Sequence, residues 1–299
     1  MQTSSSASSP SSGARRELTV RVTIWGCRGS VATPGPETVE FGGNTSCVEV
    51  SLNDGTVLVL DAGTGIRELG IELFERGARR LNILLTHLHL DHLEGLRFFG
   101  PLFDERMALD IWGPPSTVLS LEERVRRSFS PPLFPIDLRD LPARVRFRDV
   151  PRECWSIGGA TLAADLVIHP GPTVSFRVET AEASFAYLPD HEPALAAFAD
   201  RPLDWISGGA IAEKVDLLVH DAQYSEDEYE AKVGWGHSSM ADAVAFKRAV
   251  GARRLVLFHH DPLHTDESLA GLEDRAKSLV GSNEEQPTLA REGMVLELV

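Results

Sequence analysis

The chain has 299 residues, 42% of them hydrophobic, which supplies apolar surface for one large core or two small ones. Its 29 basic and 44 acidic residues leave a formal charge of −15, a surface that repels phosphate backbones and anionic membranes, so a small substrate is expected and neither a long nucleic acid nor a membrane is. Cys27, Cys47 and Cys154 show no C-x-x-C spacing, which argues against a disulfide framework or a cysteine zinc knuckle and for a reducing, cytoplasmic location.

In chain order, residues 1–16 place serines where a secretory signal would need an apolar run, and they are expected to form a disordered tail before a single domain over 17–299. No run of 18 uninterrupted apolar residues occurs. "LTVRVTIWG", "CVEVSL" and "TVLVLDAG" predict three short strands, and "GIRELGIELFERG" has helical spacing that ends on Gly77. "LNILLTH" predicts a buried strand. Leu119 to Phe129 predicts a helix stopped by Pro131, Pro132 and Pro135. Five further strands follow in "ATLAADLVIH", "TVSFRVET", "ASFAYLPDH", "KVDLLVHDA" and "ARRLVLFHH", with helices near 239–250 and 266–280. Two halves, each of strands followed by helices, imply an α/β fold: an αββα sandwich of two mixed sheets packed face to face with helices on both outer faces.

The strand ends carry the chemistry, because open α/β architectures place ligands there. Leu85 leads to His87, Ile168 to His169, Leu188 to Asp190, Val219 to His220 and Asp221, and Phe258 to His259 and His260. One histidine after a strand is ordinarily a hydrogen-bonded structural group; five such endings in one chain ask for another account. The densest is "THLHLDH". In an extended segment alternate residues share a face, so His87 and His89 can chelate one ion, while a turn after Leu90 lets Asp91 and His92 address a second. Two adjacent cations need a bridging carboxylate, for which Asp190 is the candidate. Imidazole and carboxylate without thiolate suit zinc, the expected pair of ions, or manganese or iron.

"THLHLDH" resembles the H-x-H-x-D-H signature of the metallo-β-lactamase fold, and the similarity runs from Leu18 to Val299. The remaining residues resemble the phosphodiesterase branch, which includes tRNase Z, class II-like cyclic nucleotide phosphodiesterases and the cyclic phosphodiesterase of phosphonate breakdown. The resemblance implies that His87, His89 and His169 hold one metal, that Asp91, His92 and His259 hold the other, and that Asp190 bridges them. It places His237, in "GWGHSS", at the scissile phosphate. Asp221, after its strand, is either a surface acid or the group that steadies that imidazole, and Asp91, His237 and Asp221 are the expected catalytic set. His260 competes with His259 for the last ligand position; His259 directly follows the strand and matches the family better. Asp61 is expected to orient a ligand histidine. Arg28, in a Gly/Pro-rich loop from Arg28 to Cys47, is either a phosphate contact or a solvated turn residue.

In tRNase Z an arm that grips tRNA lies between the third histidine and the bridging aspartate, whereas only 21 positions separate His169 from Asp190 here. The expectation is therefore a small cyclic or linear phosphodiester, cyclic-nucleotide-like, attacked by a metal-bridging hydroxide, with a homodimer left open as the assembly. Two alternatives stand beside it: an ester, thioester or lactone hydrolase on the same metals, and a non-catalytic binding or sensory protein.

Overall fold

The computed structural model describes residues 20–193 and 201–298, so the tail expected at 1–16 lies outside the described residues. Two sheets of seven strands each are stacked. The first contains β1 (Val20–Gly26), β2 (Cys47–Ser51), β3 (Val57–Leu60), β4 (Arg80–Leu84), β5 (Ala108–Gly113) and β6 (Arg144–Asp149), with β14 (Val295–Leu298) beside β1. The second runs from β7 (Trp155–Ile157) through β8 (Ala160–Leu166), β9 (Val174–Glu179), β10 (Ser184–Leu188), β11 (Leu217–Asp221) and β12 (Arg254–Phe258) to β13 (Thr288–Leu289). Each sheet is antiparallel on one side and parallel on the other: β3 to β6 are parallel in the first, β10 to β13 in the second.

Alternation along the strands sorts side chains into three apolar layers. Val22, Ile24, Val48, Val50, Leu58 and Leu60 face the other sheet and meet Phe176, Val178, Phe185, Tyr187 and Phe258. Val59, Leu81, Ile83 and Ile111 point outward to α1 (Ile66–Glu75), whose Ile66, Leu69 and Leu73 recur at helical spacing. On the far side Leu188, Leu218 and Leu257 pack under α3 (Met240–Val250) and α4 (Asp266–Ser278) through Val244, Phe246 and Leu269. Burying leucine, valine and phenylalanine side chains stabilises by about 1.5–3 kcal/mol each, before chain entropy is subtracted.

The helix expected over Leu119–Phe129 is shorter. α2 spans Leu121–Arg126, capped by Ser120, whose hydroxyl accepts from Glu123 N. The chain leaves the helix before Phe129, and Phe129 buries its ring in the outer core. β5, β6 and β14 had no clear sequence signature. β6, "RVRFRD", is an edge strand that alternates arginine with apolar residues and is exposed along one side. β14 carries the end of the chain back to the first sheet, so the two sheets are not simply the two halves of the sequence. Among the described residues no helix is long and apolar enough to cross a membrane.

Candidate metal centre

The parallel strands of both sheets end at one edge of the sandwich. β4 leads through Leu85 and Thr86 to His87, and a short helical turn over Leu90–His92 swings Asp91 and His92 inward. The loop after β8 brings His169, β10 brings Asp190, and β12 brings His259. Asp190 lies at the middle. Its Oδ2 is 3.0 Å from His92 Nε2, and its Oδ1 is 3.3 Å from His259 Nε2, 3.7 Å from His169 Nε2 and 3.9 Å from His87 Nε2. His169 Nε2 and His89 Nδ1 are 3.2 Å apart, and Asp91 Oδ2 is 3.3 Å from His92 Nε2 and 3.6 Å from His259 Nε2.

Ligand atoms arranged tetrahedrally around zinc at about 2.0–2.1 Å lie about 3.3 Å from one another, so these separations suit two ligand spheres. One groups His87, His89 and His169; the other groups Asp91, His92 and His259; Asp190 reaches both. A second observation tests the fit. His87 Nε2 is buried with no hydrogen-bond partner, and His92 Nε2 and Asp190 Oδ2, though 3.0 Å apart, are not aligned for a hydrogen bond, an arrangement that costs about 1–3 kcal/mol per atom unless a cation meets them. The cluster suits divalent ions.

The protonation states agree for His87, His259 and the two carboxylates; His92 is the exception, held well above its ordinary range, against the effect of burial, by the carboxylates of Asp190, Asp91 and Asp61 that a cation would otherwise neutralise. Burial, reinforced by the charge of His92, pushes the His87 imidazole well below its ordinary range, and burial lowers His259 as well, leaving the neutral form a metal ligand needs. Burial opposes ionisation of Asp190, yet the imidazoles of His259, His92 and His87 outweigh it and hold the carboxyl well below the usual range. Asp91 is likewise held low, chiefly by His92, against the effect of burial.

The second ring nitrogens are held from behind. Asp61 accepts from His92 Nδ1 at 2.8 Å and from Thr86 N at 2.8 Å, His169 Nδ1 donates to the Gly236 carbonyl at 2.8 Å, and His259 Nδ1 lies 3.4 Å from Ser46 Oγ. Such contacts aim each Nε2 at the centre. His260 turns away, its Nε2 donating to the Ala290 carbonyl at 2.8 Å, so His259 is the member of the pair that faces Asp190. Beside the cluster, His237 Nδ1 is 2.7 Å from Asp221 Oδ2 and 3.8 Å from Asp190 Oδ1. Burial disfavours its charge, but Asp221, then Asp190 and Asp91, raise its pKa to about 9.

Arg28 is neither of the two things its sequence context implied. Its side chain is fully buried, with Nε donating to the Gly42 carbonyl at 2.8 Å and Nη1 to the His264 carbonyl at 2.6 Å. It ties the loop after β1 to the loop after β12, and no substrate reaches it. The neighbours matter more for the site. A Cβ on Gly29 would lie 2.5 Å from the His259 ring, and Ser30 N donates to Asp91 Oδ2 at 2.8 Å. Glu192 is a further positioning residue that the sequence did not reveal. Its carboxylate accepts from Tyr229 Oη at 2.8 Å and from Gly234 N and Gly236 N at 2.6 Å each, fastening the segment that presents His237. The only local signal for either role was the glycine content of the two loops.

The chain resembles known proteins over most of its length. Ribonuclease Z of Haloarcula marismortui is 26% identical over 279 residues, 81% of this chain and 86% of that protein. The crystal structure of a diphosphatase from the PhnP family superposes with a TM-score of 0.65 at 19% identity, over 93% of this chain and 97% of that one. Human tRNase Z, short form, superposes with a TM-score of 0.61 at 20% identity, over 92% and 98%. The shared architecture is the metallo-β-lactamase fold. The ribonuclease likeness overturns one expectation, that no long nucleic acid is a partner. Net charge describes the whole surface, whereas RNA answers to the local field, so −15 overall does not exclude it. The model of the β-lactamase superfamily domain matches residues 56–260, more than half of the sequence and all of the clustered side chains from His87 to His259, and the chain belongs to that superfamily.

Proposed function

We propose that the protein is a metal-dependent phosphodiesterase that cleaves phosphodiester bonds in RNA. The observation that carries this reading is the imidazole of His237, held by Asp221 at 2.7 Å at the rim of a ligand set built for two cations, where the neighbouring carboxylates favour its charged form. A phosphodiester is an anion at the reacting centre and an ester or lactone is not, so a cationic donor there favours phosphoryl over acyl chemistry. The ribonuclease Z likeness supports RNA as the carrier of the bond.

His87, His89 and His169 would hold one divalent ion and Asp91, His92 and His259 the other, with Asp190 between them; zinc suits this set best, and manganese or iron would also fit. Such ions supply Lewis acidity and ionise water near neutral pH. Asp221 holds His237 Nδ1, so the opposite ring nitrogen is free to donate to a phosphoryl oxygen or to the departing alkoxide. Asp91 serves the site through its carboxylate, which Ser30 N orients. The catalytic unit is proposed to be a single domain over 17–299, working in the cytoplasm, in keeping with unpaired Cys27, Cys47 and Cys154.

A second reading, a small cyclic or linear phosphodiester, has its own support. A cavity of about 490 Å³ opens beside His87 and His89, lined by Leu88, Leu133, Arg124 and Arg127 among others, and would take one nucleotide-sized group. Metal-loaded protein should be assayed on RNA with a 3′ extension, 2′,3′- and 3′,5′-cyclic nucleotides, bis-(p-nitrophenyl) phosphate, a thioester and a lactone. Turnover of diesters with inert acyl substrates is expected; the reverse pattern sinks the phosphodiesterase reading. Asp190→Ala should release at least one ion by elemental analysis, and an unchanged metal content would refute the dinuclear arrangement.

A further inference from the structure

At the opposite end of the parallel strands from the metal cluster lies a second concentration of charge. The strands β4, β5 and β6 are in register so that Arg80, Ala108 and Arg144 form one row, Asn82, Asp110 and Arg146 the next, and Leu84, Trp112 and Arg148 the third. A groove of about 500 Å³ is lined by Arg79, Arg80, Arg106, Ala108, Arg144 and Arg146, so every charged residue lining it is an arginine. On a chain of net charge −15 that is an unexpected local field.

The fold explains part of it. Asp110 is buried and takes guanidinium contacts from Arg146 at 3.0 Å, Arg148 at 2.9 Å and Arg80 at 3.5 Å. One carboxylate cannot neutralise three guanidiniums. Arg106 has its own partner in Asp104 at 2.7 Å, but Arg79 and Arg144 make no ion pair among the described residues. The excess positive charge is mounted on a rigid sheet edge, with Arg144, Arg146 and Arg148 recurring every second residue about 7 Å apart.

We infer that this groove is a second, non-catalytic binding site for the phosphate backbone of an RNA strand, engaged while the same strand occupies the metal centre. Guanidinium forks match phosphate oxygens bidentately, and this surface is the arginine chemistry used for sequence-independent backbone contacts. Arg80 precedes His87 by seven residues of largely extended chain, which separates groove and metal cluster by about 20 Å. A dinucleotide or cyclic nucleotide cannot span that distance; an RNA of many nucleotides can. The inference rests on the phosphodiesterase reading for the occupant of the far end, and on the arginines alone for the groove.

The test uses the metal-loaded full chain and the double variant Arg79→Ala/Arg144→Ala, which leaves the three contacts to Asp110 in place and so preserves the sheet edge. Binding of a phosphorothioate RNA of about 24 nucleotides, whose linkages hydrolyse slowly, should weaken by threefold to tenfold, and the slope of log affinity against log salt should fall by about 1.4, about 0.7 for each lost contact to a single strand. Hydrolysis of bis-(p-nitrophenyl) phosphate should not change. The charge-conserving pair Arg79→Lys/Arg144→Lys should recover most of the salt slope. An unaltered affinity and slope in the alanine variant overturns the inference, as does a parent protein that binds no RNA, or a variant that loses binding to phosphatidylserine vesicles while keeping its affinity for RNA. If the parent hydrolyses no diester at all, the phosphodiesterase reading fails, and the RNA-binding comparison still decides the groove.

Discussion

At the residue scale the site depends on what stands behind each reacting atom. Asp221 holds His237 at 2.7 Å and helps keep it protonated to about pH 9. His237→Ala should keep both metals and slow diester hydrolysis about 10²-fold or more, read as metal content and rate in one preparation. Because the raised pKa means that the charged form persists below about 9 and is lost above it, activity should fall on the alkaline side as His237 releases its proton. Asp221→Asn removes the largest raising influence, so that alkaline limb should move to lower pH; a limb that stays in place would detach Asp221 from His237. Gly29→Ala offers a steric counterpart. Its methyl would lie 2.5 Å from the His259 ring, so the variant should lose metal from the Asp91, His92 and His259 position, and full occupancy would show that the ring can yield.

At the scale of elements, helix starts decide how loops are held at the site. α3 begins at Met240, three residues after His237, and its N-cap Ser239 accepts from Asp242 N at 3.1 Å. Ser239→Ala should cost about 1 kcal/mol of stability in denaturant unfolding, with a smaller loss of rate than His237→Ala. Equal losses in the two variants would mean that the cap acts mainly by placing His237. The strands were legible where apolar residues alternated or ran together, as in "NILL" and "LVLF", since both faces of a central parallel strand are buried. They were not legible in β6, where arginines occupy alternate positions, because an edge strand needs only one apolar face.

At the scale of the whole molecule, the cluster joins the two sheets. His87, Asp91 and His92 follow β4 of the first sheet, whereas His169, Asp190 and His259 follow strands of the second. Cations bound between them would cross-link the sandwich and relieve the buried unpaired His87 Nε2, His92 Nε2 and Asp190 Oδ2. Removing metal with a chelator should therefore lower the melting temperature, and restoring zinc should return it. A chelated protein with an unchanged melting temperature would mean that these polar atoms find other partners at little cost.

The sequence by itself determined the ligand chemistry and the sandwich. Strand periodicity and strand-terminal histidines are local properties, set by side-chain alternation and by the closely spaced His87, His89, Asp91 and His92. What only the tertiary structure decided is how distant residues meet. Arg28 turned inward because one backbone carbonyl of its own loop and two of the loop after β12 surround it, Gly29 is required by a ring 230 positions further on, and Glu192 gathers donors from another loop. The arginine groove exists because parallel register brings separate strands side by side. Net charge, a sum over all residues, carried no information about that placement, and so it did not exclude RNA.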